Sequence, residues 1–517
     1  MRLVTKVLAM GAVLFVTASV ALGAVPVTVV DDNDWRPPAT VSRAEGIECE
    51  MTPALVLKTE FKDPAFLFDP TDDETITHIT DFRGKLYLAS CTQPAATDTG
   101  SVYTYDPDTN EWQKVFTVND QGLVRLEVYG DRLYIAGYDA NDGGWDLGNI
   151  YVHDGTTWVE HRTVPRAIHE YGLAVYNGRL YVSGAILDPP PAGVTVDEAA
   201  EKGLTDVYGR VVSSDDGGLT WREEYRGPQP GQDIGFMTVF QDKLVVNSHG
   251  DLVTFDGKRW RKLGLNPDAL IVFDYAGAGD TLLLGTSLGL GFFDGKHFKL
   301  AEGARGRQVR AISRLGSCWV LAEYGLTGGS IHHGPGMMSY PSSPGKSREP
   351  FYSGVRVVPD ELMQRTAQGR VGRSTSGRQV QWAESKELLT SAHAFHGRVY
   401  LGAHPEGRVL VLPVVKEGTL ESAPRPVLSA GTYTLSWEAA TPTGTSCRLQ
   451  IRTALTREAL EKQPFVGPDA NQASYFDVPG AALRIAQPGF VQYRVLLKTE
   501  NPAVTPYLKR VTLRSGA

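Results

Sequence analysis

The chain alternates short hydrophobic runs with turn-forming residues, and this alternation is typical of β-hairpins. The clearest copy spans residues 175–184 and reads Val-Tyr-Asn-Gly-Arg-Leu-Tyr-Val-Ser-Gly. Asn-Gly is a preferred two-residue hairpin connection because both residues tolerate a positive φ. The stretch therefore predicts two antiparallel strands joined by a tight turn at Asn177 and Gly178.

Variants of this hairpin recur seven times along the chain. Each has an apolar or aromatic residue, a spacer, a third position that is usually Gly or Asp, and then an apolar pair. The third positions are residues 84, 131, 178, 242, 280, 317 and 397. Most of these spacings suit repeat units of about 40–50 residues, and the two longest intervals predict insertions.

Most copies are followed by a second hairpin that ends in an aromatic residue. These outer hairpins lie at 105–112, 154–158, 214–221, 255–260 and 293–298. Two hairpins per unit predict four-stranded blades, so seven units predict an all-β, seven-bladed β-propeller over residues 54–414. We expect residues 53–61 to add a strand to the last blade and close the ring, and residues 374–382 to form the outer turn of the sixth blade.

The remaining segments differ from the repeats. Alternating strands at 433–437, 448–452, 491–497 and 508–513 predict a β-sandwich over residues 415–517. Residues 24–53 show little periodicity, and we expect them to form a flexible lead-in.

Residues 1–23 have the pattern of an export signal. Arg2 and Lys6 precede a short apolar core from Leu8 to Leu22, and small residues surround Gly23. The core is too short for a comfortable span of roughly 20 residues. We therefore expect cleavage, no membrane span in the mature protein, and a periplasmic or extracellular (secreted) location.

The four cysteines set limits on redox chemistry. Cys49, Cys91, Cys318 and Cys447 allow up to two disulfides outside the cytosol, and three pairings remain open. None belongs to a C-x-x-C motif. We interpret them as structural cysteines or buried thiols rather than as zinc ligands or nucleophiles.

The charge distribution bears on the partner. A net charge of −8 argues against a general nucleic-acid binder. Residues 303–382 nevertheless carry eleven basic and four acidic residues, and the predicted sandwich carries twelve basic and eight acidic ones. This segregation favours attraction for an anionic ligand, such as a carboxylated or sulfated polysaccharide. The alternative is a solvated arginine-rich loop.

The long insertions indicate which face is used. Residues 92–100, 139–148, 186–207 and 325–370 all follow the second strand of a unit. In a blade, the end of the second strand and the start of the first open on the same face, where extended loops commonly carry binding. Alignment of the units places eight ligand-binding candidates at this face: His78, Arg125, Tyr138, His169, His249, Tyr324, His393 and His404. They predict a glycan-facing funnel; the alternative is polar strand ends satisfied by neighbouring backbone groups.

Two resemblances refine these expectations. The segment Ser214–Trp221 resembles the Asp-box of sialidase-type propellers, and the chain as a whole resembles secreted bacterial propellers with kelch-like repeats and an appended β-sandwich module. An Asp-box braces a hairpin and does not touch substrate. The Phe-Arg-Ile-Pro-type motif of catalytic sialidases is absent.

Propeller polysaccharide lyases, such as ulvan lyases, are the closer comparison among enzymes. They abstract a proton beside a uronate carboxylate, using His or Tyr, while Arg or a metal neutralises the charge. The resemblance implies that His169, with Arg166, Tyr171 or Tyr208, would supply these residue types.

The sequence contains no complete motif for a metal or a cofactor. Residues 139–143 begin like an EF-hand loop, but the twelfth position is Ile150 instead of Glu. His332 and His333 are adjacent and would point to opposite faces of a strand. No P-loop, dinucleotide motif or G-x-S-x-G elbow is present. We expect no cofactor and no metal site.

The sequence leaves three functions in order of preference. The first is an exported propeller that binds an extracellular anionic polysaccharide, a cell-surface glycan or another surface partner. The second is a polysaccharide-degrading enzyme at the same face, either a lyase or a sialidase-like glycoside hydrolase. The third is a structural envelope protein. Whether the chain is an enzyme stays open.

Overall fold

A computed structural model of the chain describes residues 28–32, 41–45, 47–48, 54–70, 75–91, 99–141, 144–231, 234–248, 250–265, 270–301, 307–326, 351–367, 379–404 and 406–515. The export signal, Cys49, His249 and His332–His333 lie outside these ranges, as do most of the proposed outer turn at 374–382 and most of the insertion after residue 326. In the described part, no helix has the length and apolar character needed to cross a bilayer.

Strands dominate the described structure, so the prediction of an all-β fold is confirmed. Helical segments are short: a 3₁₀ turn at Gly144–Asp146, α1 at Val196–Glu201, α2 at Asp360–Ala367 and α3 at Arg457–Leu460.

The N-terminal segment is more ordered than we expected from its composition. It contains β1 (Thr28–Asp32), β2 (Val41–Glu45), β3 (Ile47–Glu48), β4 (Val56–Leu57) and β5 (Ala65–Phe68). The expectation of a flexible lead-in over residues 24–53 is therefore wrong for the first three of these strands. They are too short to show a periodicity, and β1 and β2 obtain their hydrogen bonds from strands near the C-terminus.

Seven antiparallel four-stranded units follow. The first three are joined into one twelve-stranded sheet by the single residue pairs Cys91–Gly122 and Tyr138–His169, and the other four are separate sheets. We call each unit a sheet, and in six of them the strands are neighbours in chain order. The first three sheets are β6 (Thr75–Phe82), β7 (Lys85–Cys91), β8 (Ser101–Asp106) and β9 (Glu111–Thr117); β10 (Asp120–Tyr129), β11 (Arg132–Ala140), β12 (Leu147–His153) and β13 (Trp158–Pro165); and β14 (Ala167–Tyr176), β15 (Arg179–Leu187), β16 (Val207–Ser214) and β17 (Arg222–Pro230).

The fourth, fifth and sixth sheets have the same plan. They are β18 (Ile234–Phe240), β19 (Lys243–Ser248), β20 (Asp251–Phe255) and β21 (Trp260–Lys262); β22 (Val272–Ala278), β23 (Thr281–Thr286), β24 (Gly289–Phe293) and β25 (Phe298–Leu300); and β26 (Gln308–Leu315), β27 (Cys318–Leu326), β28 (Phe351–Pro359) and β29 (Gln381–Ser385).

The seventh sheet joins the two ends of this series. It contains β30 (Leu388–Phe395), β31 (Arg398–His404) and β32 (Val409–Val411), and its fourth strand is β5 from the N-terminal segment. The closing strand is thus Ala65–Phe68, not residues 53–61 as expected. The earlier stretch is used elsewhere, since β4 pairs with β3 and Leu55 pairs with Leu508.

The first strands of the seven sheets contact one another in sequence. Strand β6 contacts β10, the series continues through β14, β18, β22 and β26 to β30, and β30 returns to contact β6. We refer to these seven sheets as the ring. Each predicted tight turn lies between the first and second strands of one sheet. The end of the ring that carries these turns is called the turn end. The opposite end is the insertion end.

Two further sheets are built from both ends of the chain. The C-terminal strands are β33 (Glu417–Ser422), β34 (Arg425–Val427), β35 (Gly431–Ala440), β36 (Thr445–Ala454), β37 (Ala481–Ile485), β38 (Gly489–Thr499) and β39 (Tyr507–Ser515). One sheet has the order β1-β39-β35-β37. The other has the order β2-β33-β38-β34, and β36 also pairs with β38. Tyr433, Trp437, Leu449 and Tyr493 are buried in the core that these strands share with Val30.

The seventh sheet also holds the C-terminal sheets through buried polar groups. The Tyr400 and Tyr507 hydroxyls are 3.3 Å apart, and Arg398, which is 1% exposed, donates to the carbonyl oxygens of Leu412 and Ala503 at 3.2 Å. Burial raises the pKa of both tyrosines. Because buried polar groups are costly without partners, these bonds fix the contact.

Among the described residues, no disulfide joins Cys91, Cys318 and Cys447, and Cys91 and Cys447 are buried. Burial raises the pKa of the Cys447 thiol to about 12, which suits a structural side chain rather than a nucleophile.

The turn at Asn177 and Gly178 provides a test of this scaffold. The φ angles are 49° and 74°, and a Cβ added to Gly178 would meet no atom within 4 Å, so any cost is conformational. Replacing Gly178 with Ala should destabilise the protein by about 1 kcal/mol. Gly277→Ala is the matched control, because an added Cβ there also meets no atom and the backbone is extended. Equal melting temperatures for the two variants would contradict the turn assignment.

Candidate functional site

The eight candidate ligand-binding residues do not form one group in the structure. Tyr138 and His169 lie together at the insertion end of the second and third sheets. His78 and Arg125 lie on the first strands of their sheets, towards the middle of the ring. Tyr324, His393 and His404 have separate surroundings, and His249 lies outside the described residues.

Tyr138 and His169 are brought together by strand pairing between neighbouring sheets. They are paired across β11 and β14, and their rings stack with centroids 4.4 Å apart and planes 10° apart. Both residues are partly exposed. We call them the rim pair. Stacked rings of this kind form a rigid, amphipathic surface with polar edges.

Hydrogen bonds fix the orientation of the His169 ring. Its Nε2 lies 2.8 Å from Asp139 Oδ1, and its Nδ1 lies 2.8 Å from the Tyr171 hydroxyl. Tyr171 is 1% exposed, whereas about a quarter of the Asp139 side chain is exposed. Both ring nitrogens are therefore engaged, and the ring is held as a platform.

The backbone on both sides of the rim pair adopts a conformation that is uncommon for residues other than glycine. Asp139 has φ 55° where β11 leaves for its insertion, and Arg166 has φ 54° immediately before β14. Arg166 also joins the two insertions, since its N–H donates to Asp146 O at 2.7 Å and its Nε donates to Leu187 O at 3.0 Å. Such outliers persist only where the surroundings fix them.

A network of charged residues holds the insertion of the third sheet. Arg210 is almost fully buried and contacts Asp188 and Glu223 at close range. Arg226 donates to Asp188 at 2.8 Å, and its guanidinium lies 3.6 Å from the centroid of the Tyr208 ring. Arg226 itself is exposed and pairs with the Asp188 carboxylate.

Arg125 spans the ring instead of facing solvent at the rim. Its Nε lies 2.5 Å from Glu127 Oε1, and its Nη1 reaches across to Asp274 of the fifth sheet at 2.7 Å. The guanidinium also lies 4.2 Å from the Tyr275 ring centroid, and the Tyr275 hydroxyl donates to Glu127 at 2.8 Å. Only 12% of the Arg125 side chain is exposed, so this ion cluster is a structural link between opposite sheets.

His78 is close to the same cluster. Its Nδ1 accepts the Leu126 N–H at 3.3 Å. Burial lowers the pKa of His78 well below its usual value, and the charges of Arg125 and His393 lower it further. The imidazole is therefore neutral at pH 7, which does not suit it to attract an anion.

Three other candidates form hydrogen bonds with residues outside any common ligand-binding surface. His393 lies near the turn end of β30, opposite to the predicted face, and its Nε2 is 2.8 Å from Asp81. His404 is buried, and its Nδ1 is 2.6 Å from Thr75 Oγ1. Tyr324 is also buried, and its hydroxyl accepts from Arg310 at 3.0 Å. Counting residues from the turn did not reveal the contacts of the two histidines because their partners are more than 300 residues away in sequence.

The described arginines of the basic segment 303–382 include several that are neutralised by carboxylates. Arg356 lies 2.8 Å and Arg307 3.8 Å from Glu323, and Arg314 pairs with Asp360 at 2.5 Å. Asp360 begins α2, which follows the third strand of the sheet and lies at the turn end. The expectation that residues 325–370 form a single insertion at the binding face is therefore wrong for the helix.

From the sequence, Asp139 stood out only as the start of an EF-hand-like loop, and its contact with His169 was not expected. Asp120 and Glu170 were not singled out either. The available signal was stronger for Glu170, which lies in the largely apolar strand Ala167–Tyr176, because acidic residues are rarely buried without a specific partner. The strand of Asp120 also contains Arg125 and Glu127.

Comparisons with known proteins find partial similarity to solved structures. No family model and no curated protein matches the chain. An extracellular domain of a hybrid two-component system from B. thetaiotaomicron is 9% identical, with a TM-score of 0.43; the match covers 74% of this chain and 44% of that domain. A second structure, an extracellular domain of a one-component system from B. thetaiotaomicron, is 8% identical, with a TM-score of 0.42 and coverages of 82% and 48%. The chain thus spans less than half the length of either domain.

A computationally designed protein, Ika8, is also similar in part. It is 14% identical, with a TM-score of 0.37, and the match covers 68% of this chain and all of the designed one. At these identities and scores, the comparisons assign no activity to the chain.

A substitution at Arg125 tests the structural role of its ion cluster. Replacing Arg125 with Met leaves Glu127 and Asp274 buried without their cation, which should cost about 3–5 kcal/mol. Burial already raises the pKa of Glu127, and Arg125 opposes that shift. The variant should therefore recover stability relative to wild type as the pH falls and Glu127 becomes protonated.

The matched control is Arg510→Met, because Arg510 and Asp31 form an exposed pair. This variant should show a much smaller loss of stability. Equal losses in the two variants, measured by denaturant unfolding between pH 4 and pH 8, would contradict the structural role of Arg125.

Proposed function

We propose that the chain is an exported seven-bladed β-propeller with a C-terminal β-sandwich, and that it binds an extracellular polysaccharide. The seven four-stranded sheets, the ordered contacts of their first strands and the closing strand β5 support the propeller. In this proposal the propeller lies within residues 54–414, and its closing strand is β5. Residues 415–517, together with β1 and β2, form the sandwich. The signal-like pattern in residues 1–23 supports export.

The rim pair carries the proposal for binding. Tyr138 and His169 are stacked, partly exposed and fixed in orientation at the insertion end of two adjacent sheets. Aromatic side chains with a few fixed polar groups are the usual lining of sites for small organic ligands, and a sugar ring offers both an apolar face and hydroxyl groups. Because strands hold both rings, the site needs little ordering on binding.

The same geometry favours binding over proton abstraction. A general base needs a free lone pair within reach of the substrate proton. Both nitrogens of His169 are engaged, and Tyr171 is buried behind it. A lyase that used His169 with Arg166, Tyr171 or Tyr208 would first have to break the contact with Asp139.

Two arginines at the insertion end support a preference for acidic sugars. Arg166 and Arg226 both lie at this end, and Arg226 is exposed. The carboxylate of Asp139 beside the rim pair opposes this preference. We therefore place the acidic group of the polysaccharide towards Arg226 and a sugar face on the rim pair.

Binding to polygalacturonate, heparin and neutral dextran would test this proposal by titration calorimetry. We expect an acidic polysaccharide to bind, and Tyr138→Ala to weaken that binding by about tenfold, since truncating a central aromatic contact typically costs more than 1 kcal/mol. Tyr475→Ala, in the segment between α3 and β37, is the matched control and should bind like wild type.

Two outcomes would contradict the proposal. One is the absence of binding to any of the three polysaccharides. The other is equal binding by wild type and Tyr138→Ala. Release of products with the absorbance of unsaturated uronates would indicate that the protein is a lyase and not only a binding protein.

A further inference from the structure

Two carboxylates are buried directly behind the rim pair. Asp120 begins β10 in the second sheet and Glu170 lies in β14 of the third sheet; they are 0% and 1% exposed. Neither is used by the proposed binding surface. Carboxylates are rarely buried so completely unless a cation or several donors compensate them.

Three oxygen atoms in this region have no hydrogen-bond partner among the described residues. They are Asp120 Oδ1, Asn149 Oδ1 and Glu170 Oε1. Asn149, on β12, is also 0% exposed. The other Asp120 oxygen is satisfied, since it accepts from Asn149 Nδ2 at 3.1 Å and from the nearby Tyr151 hydroxyl.

Glycine residues lie where these oxygens approach the backbone. A Cβ placed on Gly137 would lie 2.5 Å from Asp120 Oδ1, and one placed on Gly148 would lie 1.8 Å from Glu170 Oε1. The two glycines lie on the neighbouring strands β11 and β12, and Asn149 follows Gly148. The glycines thus leave room for both carboxylates in one small region.

The local charge is not balanced by the described residues. Asp139 and Asp120 both add to the negative potential at Glu170, and Glu160 adds to that at Asp120, whereas Arg162 acts in the opposite sense on both. Arg162 is itself engaged with Gly144 O at 2.8 Å and Asp146 at 3.2 Å. Burial raises the pKa of Asp120 to about 6 and that of Glu170 well above its usual value.

We propose that Asp120, Asn149 and Glu170 bind a divalent cation of the calcium type. One proton shared between two oxygens would leave the third without a partner, whereas a calcium ion accepts carboxylate and amide oxygens together and completes its shell with water or carbonyl groups. Two carboxylates also match a charge of +2.

The donor set selects against softer metals. It consists of oxygen atoms, whereas zinc sites in proteins are built chiefly from Cys and His. Within the described ranges, no group of three or more His, Cys, Asp or Glu residues is placed to hold a metal, so the amide of Asn149 is an essential part of this site.

The cation would connect three strands, β10, β12 and β14, and so join the second sheet to the third. It would lie behind Tyr138 and His169 and stiffen the support of the rim pair. This inference does not rest on polysaccharide binding, since a structural cation would be present whatever the ligand is.

The experiment compares the full mature protein, treated with EDTA and dialysed, before and after addition of CaCl₂. We expect calcium to raise the melting temperature by roughly 3 °C or more. We also expect added Tb³⁺ to luminesce on excitation of tyrosine, because Tyr151 lies beside Asp120.

Glu170→Gln is the decisive variant because it keeps the shape of the side chain and removes its charge. It should weaken calcium binding at least tenfold. In EDTA it should melt above wild type, since a buried charge is removed, and in calcium the order should reverse. Glu111→Gln, which removes an exposed carboxylate from the first sheet, should behave like wild type.

Three results would overturn the proposal: wild type with neither a calcium-dependent melting shift nor Tb³⁺ luminescence, equal calcium affinities for wild type and Glu170→Gln, or an effect of pH alone. In the last case Asp120 and Glu170 share a proton. Both raised pKa values would then stabilise the fold at low pH, and the contribution of Asp120 would be lost as the pH rises through its pKa of about 6. The calcium measurements on wild type decide the matter even if the variant does not fold.

Discussion

The seventh sheet of the ring is completed by the pairing of Ala65–Phe68 with Val409–Val411. This pairing supplies the fourth strand of the seventh sheet from a segment more than 300 residues away. An exposed edge strand would otherwise offer unpaired backbone groups to other chains. With this strand in place, β30 contacts β6, and the insertions after β7, β11 and β15 leave from the same end of the ring.

The N-terminal segment also contributes strands to the C-terminal sheets. The strands β1 and β2 join the two C-terminal sheets, just as β5 joins the ring. The N-terminal segment therefore connects both parts of the molecule, and the buried contacts of Arg398 and Tyr400 strengthen that connection. A segment that composition alone would assign to a linker is an integral part of two cores.

Two buried groups of charges show contrasting electrostatics. Around Arg125, a guanidinium compensates Glu127 and Asp274 across the ring. Around Asp120 and Glu170, the described residues supply polar donors to one oxygen and leave others without partners. The first arrangement is complete as a structural link, and the second is the reason to infer a bound cation.

The local features of the fold were predictable from the sequence, and the long-range ones were not. The Asn177–Gly178 turn and its six counterparts follow from turn chemistry, which acts within a few residues. The proximity of Tyr138 and His169 could be predicted in part, since alignment of the units placed both residues at the same face. In contrast, the contacts of Arg125 with Asp274 and of His393 with Asp81 join residues 149 and 312 positions apart. Nothing in the local pattern of either residue specifies such a partner, so two of the predicted ligand-binding residues have structural partners instead.

The proposed binding surface is the insertion end of the second and third sheets. Hydrogen–deuterium exchange of the mature protein, with and without saturating polygalacturonate, would locate the surface that the polysaccharide covers. We expect slower exchange on binding in Arg132–Ala140 and Ala167–Tyr176, and unchanged exchange in Gly431–Ala440 and Gly489–Thr499 of the C-terminal sheets. Protection confined to the C-terminal sheets or to the turn end of the ring would contradict this proposal.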